Sequence, residues 1–175
     1  MLRKNRIVVL SCTLALVLLA VPERAEARGD RFAARVAGTY LVNEDQNFLR
    51  LLTLTADGNV FGIDSSEASG SSFFGDQQGV WSRTGRRAIA ATLLNFRFVR
   101  SQPPEDGGVE PDGSAVGDYE IRFGPGFATV RGTITLHLFA PGIDPLAPDA
   151  TPTGDPIVVP FEGRRVPAPR PERRR

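Results

Sequence analysis

The sequence predicts an all-β fold: a single antiparallel up-and-down barrel of about eight strands behind a signal-peptide helix. Three observations predict it. Short runs rich in β-branched and aromatic residues recur along the chain, each bounded by Gly, Pro, Asp or Asn. No segment after residue 27 sustains the i, i+3, i+4, i+7 apolar spacing of an amphipathic helix, so no helix of consequence is expected there. The connections between most runs are turn sequences that join neighbouring antiparallel strands, and a parallel sheet would need crossover helices.

The first element is the cationic Met1-Leu2-Arg3-Lys4-Asn5-Arg6, followed by an apolar run from Ile7 to Val21 that is short for a membrane span. Ala25-Glu26-Ala27 is a small-x-small site of the kind signal peptidase cleaves, so residues 1–27 read as a signal peptide. The lipobox-like Val9-Leu10-Ser11-Cys12 has its long apolar run after the cysteine, the reverse of what lipidation requires. The leader has no adjacent arginine pair, which leaves general secretion to the periplasm or the medium. Cys12, the single cysteine, departs with the leader, so no disulfide is expected. About 148 residues remain, enough to bury roughly 68–70% of the unfolded surface without covalent staples.

Residues 28–35 form a lead into the barrel, which spans 36–166. The strands read as Val36–Val42, Phe48–Thr55, Asn59–Asp64, Gly79–Arg83, Ala88–Arg100, Gly117–Phe123, Phe127–Phe139 and Ile157–Val166. Asp57-Gly58, Thr84-Gly85 and Gly124-Pro125-Gly126 supply tight turns. Alternation assigns faces: Tyr119, Ile121 and Phe123 share one, Asp118, Glu120 and Arg122 the other. Val130, Ile134, Leu136 and Leu138 oppose Thr129, Arg131, Thr133, Thr135 and His137. The run Ile89–Val99 is apolar on both faces, as for a strand covered twice or facing a ligand cavity. Ser65–Gln78 and Ser101–Val116 read as long mobile loops, and Ala140–Pro156 as an irregular extended segment. The Pro/Arg-rich tail, residues 167–175, is expected to be disordered.

The order Gly38-Thr39-Tyr40, Thr55-Ala56-Asp57-Gly58-Asn59, a Ser-rich loop, then Gly79-Val80-Trp81-Ser82-Arg83-Thr84-Gly85 and the Thr92–Phe98 strand resembles uncharacterised secreted bacterial proteins with calycin/lipocalin-like barrels. The resemblance continues through Ala140–Leu146 to Gly163-Arg164-Arg165. Its motifs are structural; it implies the fold and carries over no catalytic residue. Gly38-Thr39-Tyr40 also echoes the lipocalin Gly-x-Trp, with Tyr for Trp and no closing-strand arginine matched to it.

Few residues point to chemistry. His137 is the only histidine and no Gly-x-Ser-x-Gly elbow exists, which argues against a Ser/His/Asp triad. With one histidine and no mature cysteine, zinc lacks its usual ligands, and no carboxylate run has calcium-loop spacing. Neither metal nor cofactor is expected. Asp118 and Glu120 read as a solvated face paired with Arg122 or Arg131. A net charge of +1 argues against a basic groove for nucleic acid, leaving the arginine tail as the one charge feature.

The reading that follows is a secreted barrel binding a small apolar or amphipathic molecule, with Tyr40, Leu52, Leu54, Phe61, Trp81, Phe96, Phe98, Tyr119 and Phe123 as lining or core. Two alternatives stand beside it. A filled barrel would make a cell-envelope structural or interaction module with a protein or polymer partner, and a cavity with buried acids or tyrosine at its floor would suit an isomerase or cyclase.

Overall fold

A computed structural model describes residues 31–44, 48–65, 72–100 and 108–168. Residues 1–27, expected to be a signal peptide, residues 28–30 of the lead and the tail beyond 168 lie outside the described residues, as do 45–47, 66–71 and 101–107 within the chain. The strands are β1 (Gly38–Glu44), β2 (Leu49–Leu54), β3 (Asn59–Asp64), β4 (Ser72–Phe74), β5 (Gln77–Gly85), β6 (Ala88–Arg100), β7 (Val109–Phe123), β8 (Thr129–Phe139) and β9 (Ile157–Arg165). Eight of them close into a ring in the order β1-β2-β3-β5-β6-β7-β8-β9, every pairing antiparallel. β9 meets β1 with Gly163 opposite Val42. β4 lies alongside the far end of β6, where Phe73 faces Phe98.

The ring obeys the two-residue period. In β3, Val60, Gly62 and Asp64 are buried while Asn59, Phe61 and Ile63 are exposed. Tyr119, Ile121 and Phe123 point inward as their spacing predicts. Leu52, Leu54, Ile89, Leu93 and Ile121 each keep 2% exposure or less, and burying each such side chain stabilises the fold by about 1.5–3 kcal/mol. Tight curvature leaves no room for a side chain at some inward positions. A Cβ at Gly132 would overlap the Glu120 carbonyl and press on the Phe161 ring, and one at Gly79 would overlap the Thr92 carbonyl.

Three expectations are corrected. Residues 31–36 are helical, so Val36 ends a helix instead of starting a strand. Arg31-Phe32-Ala33-Ala34-Arg35-Val36 is too short to reveal a helical period, but its alanines favour a helix and Phe32 and Val36, four apart, face the barrel together. The second correction falls in Ser65–Gln78, which contains β4 and the start of β5. The third falls in Ser101–Val116, where strand pairing begins at Val109. Its Pro, Gly and acidic residues build a bulge: the register with β6 shifts between Arg97 and Phe98, Gly113 adopts φ 101°, and Asp112 pairs with Arg97. Residues 140–156 are irregular, a succession of turns pinned by Thr153 N–H donating to the Leu138 carbonyl at 2.6 Å.

Candidate functional site

The barrel has two unlike ends. At one, helix 31–36 plugs the ring. The Phe32 ring packs 5.8 Å from Phe127 and 6.3 Å from Trp81. The Tyr40 hydroxyl donates to the Val36 carbonyl at 3.0 Å, and Trp81 Nε1 donates to the Thr55 carbonyl at 3.0 Å, so both rings bury with their polar atoms satisfied. Arg165, at the end of β9, lies over the Tyr40 ring at 5.7 Å and donates to the carbonyls of Arg35 and Ala37, where a helix C-terminus favours a cation. Gly38 is needed beneath Arg165, because a Cβ there would strike the guanidinium, and its φ is 147°.

The opposite half of the interior is polar, which the sequence reading missed. Arg50 of β2 is buried among side chains from four other strands. Its Nε lies 2.6 Å from Glu44, Nη2 donates to Asp64 at 2.6 Å, and Nη1 donates to Gln77 Oε1 at 2.7 Å and to the Tyr119 hydroxyl. The Tyr119 hydroxyl in turn donates to Gln77 Oε1 at 2.9 Å. Burial pushes the Glu44 carboxyl above its usual range against the pull of Arg50, and Asp64 pushes it the same way. Nearby in β6 the buried Asn95 Oδ1 has no hydrogen-bond partner among the described residues. The sequence signal was present: Arg50 and Asp64 fall on the inward register of β2 and β3, between leucines and valine that the core needs.

The structure disperses the predicted lining set. Tyr40, Leu52, Leu54, Tyr119 and Phe123 lie in the interior, each at 5% exposure or less, and Trp81 flanks the plug. Phe61 and Phe96 do not line the interior: they are 42% and 64% exposed, and Phe61 faces outward opposite Thr53. Phe98 is half-buried beyond the β7 bulge, against Phe73 of β4. His137 sits on the outer face, 3.9 Å from Asp118, whose other oxygen accepts from Thr92 at 2.7 Å. Neither Asp118 nor Glu120 forms the expected ion pair with Arg122 or Arg131 among the described residues.

A second feature lies outside the plug. The helix, the Gly85–Ala88 turn and the 3-10 turn Pro125–Phe127 border a half-open cleft of about 620 Å³ whose charged lining among the described residues is Arg31, Arg35, Arg83, Arg86 and Arg87. Among the described residues no acidic side chain lines it. Arg35 stacks on Phe127 at 4.6 Å and Arg83 on Phe32 at 4.4 Å. The cleft adjoins a larger depression of about 1260 Å³, where Arg122, Arg131 and Arg164 stand with Glu120 and Glu162. The expectation that near-zero net charge precludes a basic groove is thus corrected. The ring gathers arginines at the plugged end, and Asp76, Glu110, Asp112, Asp144, Asp149 and Asp155 lie in or near the connections of the other. Among the described residues no helix is long and apolar enough to cross a membrane. No family model, curated protein or solved structure matches the chain.

Proposed function

We propose that the protein is a secreted, non-enzymatic interaction module of the cell envelope: a calycin-like barrel filled by its own side chains, which meets its partner with its outer surface. One observation carries this reading. The interior is occupied from the plug to the polar half, by Val36, Tyr40, Leu52, Leu54 and Ile121 and then by the Arg50 cluster. Arg50 already stands against two carboxylates, an amide and a hydroxyl, so the cluster acts as an internal strut, although Arg50 Nε and Glu44 Oε1, 2.6 Å apart, make no hydrogen bond among the described residues. The same ion pairing disfavours an isomerase or cyclase, whose acid and base must reach a substrate. The leader-like N-terminus supports secretion, and Tyr40 beneath Arg165 at the closed end supports calycin kinship.

Interior binding of a small molecule is the second reading. Asn95 Oδ1, buried without a partner among the described residues, favours a small polar guest there over an apolar one. Native mass spectrometry of the secreted chain, purified from its own host, separates the two. The filled barrel predicts the apo mass. A stoichiometric molecule released on denaturation would overturn the filled barrel and establish an interior carrier.

A further inference from the structure

We propose that the arginine cleft at the plugged end binds clustered phosphoryl groups, as in a polyphosphate or a phosphorylated lipid headgroup. The proposal rests on the reading that partners are met outside the barrel and adds the chemistry of the ligand. Composition explains why the mature chain's cations are arginine, since Lys4 is the only lysine. It does not explain why five of them line one cleft of about 620 Å³. Gathering like charges is unfavourable unless an anion compensates them.

All five are exposed, and none has an ion-pair partner among the described residues. Two are held in place. The Phe127 and Phe32 rings lie against the guanidinium planes of Arg35 and Arg83, and Arg83 Nε donates to the Gly85 carbonyl at 2.9 Å. Stacking fixes the plane and leaves N–H edges for an acceptor, the arrangement that suits forked recognition of phosphoryl oxygens. Arg86 and Arg87, exposed on the turn, complete the rim.

Five guanidiniums around one half-open cleft suit a ligand that carries several phosphoryl groups close together. The cleft's aromatic walls, Phe32 and Phe127, are at most 7% exposed, so no large apolar side chain stands ready to enter a bilayer core. Val166 N–H bonds the Thr39 carbonyl at 2.8 Å, so the chain leaves the barrel at this same end, and the sequence beyond 168 adds Arg170 and Arg173-Arg174-Arg175.

The test is calorimetric titration of the full secreted chain with tripolyphosphate and with citrate, an anion of carboxylates. Vesicles of phosphatidylcholine with and without phosphatidic acid are run in parallel. The variants are Arg86→Glu with Arg87→Glu, chosen because their exposed side chains form no hydrogen bond, ion pair or ring contact among the described residues, and a tail variant with Arg170, Arg173, Arg174 and Arg175 all changed to Gln. The proposal expects tripolyphosphate or phosphatidic acid binding that exceeds citrate binding, falls at least about ten-fold in the turn variant, and persists in the tail variant. Vesicle binding without tripolyphosphate binding places the phosphoryl source in lipid, and the converse places it in a soluble ligand. Equal binding of citrate, loss confined to the tail variant, or no binding at all overturns the proposal. An apo mass in that last case leaves the filled barrel standing, whereas a retained interior ligand removes the underlying reading itself.

Discussion

Replacing Arg50 with methionine tests the polar half of the barrel. Methionine keeps most of the stem's volume but removes the contacts of the guanidinium, leaving Glu44, at 8% side-chain exposure, without the cation 2.6 Å from it. Removing one partner of a buried ion pair costs roughly 3–5 kcal/mol, because the charge left behind is neither solvated nor paired. A domain of this kind has about 5–15 kcal/mol in total, so the variant loses a large fraction of its stability. The loss depends on pH with a definite sign. Without Arg50 the folded Glu44 carboxyl holds its proton more tightly than the unfolded one, so the variant recovers stability as pH falls from about 8 toward about 5. Urea unfolding followed by Trp81 fluorescence reads both effects from the only tryptophan. A deficit under about 1 kcal/mol at the higher pH, or one of equal size at both, refutes the strut. Changing Glu44 to Gln in the same variant should return part of the loss, since the charge left behind is then removed.

Other perturbations follow from the same geometry. Glu44→Gln in the wild-type background should flatten the pH profile. The Glu44 carboxyl is raised above its ordinary 4.5, so its contribution is fully present below that value and fades as pH rises through the folded pKa; urea midpoints across this range show it. Gly132→Ala should cost about 1–3 kcal/mol or more by forcing β7 and β8 apart at the Glu120 carbonyl, seen as a lowered Tm. Leu52→Ala should cost about 2–5 kcal/mol, while Phe61→Ala, facing solvent, stays within about 1 kcal/mol; equal losses in urea titrations would contradict the assigned faces. Tyr40→Phe removes the hydroxyl bonds to Val36 and Phe127, at 3.0 and 3.4 Å, and should speed hydrogen exchange in helix 31–36 with barrel strands little changed.

The sequence by itself determined the barrel. Two-residue alternation in β3 and in the second half of β7 fixes which side chains turn inward, and Asp57-Gly58 and Gly124-Pro125-Gly126 fix where strands turn back, because both signals act over a few neighbouring residues. What failed locally failed for a physical reason. The start of β7 looks like a loop because Pro111 and Gly113 are turn residues, yet a bulge against β6 uses both. The helix described over 31–36 shows too few residues for a period to be read, and its apolar face finds its place to pack against the rings of Trp81 and Phe127. The sites were still less legible. Glu44, Arg50, Asp64, Gln77 and Tyr119 come from five strands spread over 76 positions of sequence, and nothing short of barrel closure brings them into one cluster. The arginine cleft is decided the same way. A net charge of +1 describes the chain as nearly neutral, and only the alternation of ends in an up-and-down ring sends the turns bearing Arg86 and Arg87 to the helix with Arg31 and Arg35, and the acidic connections to the far rim.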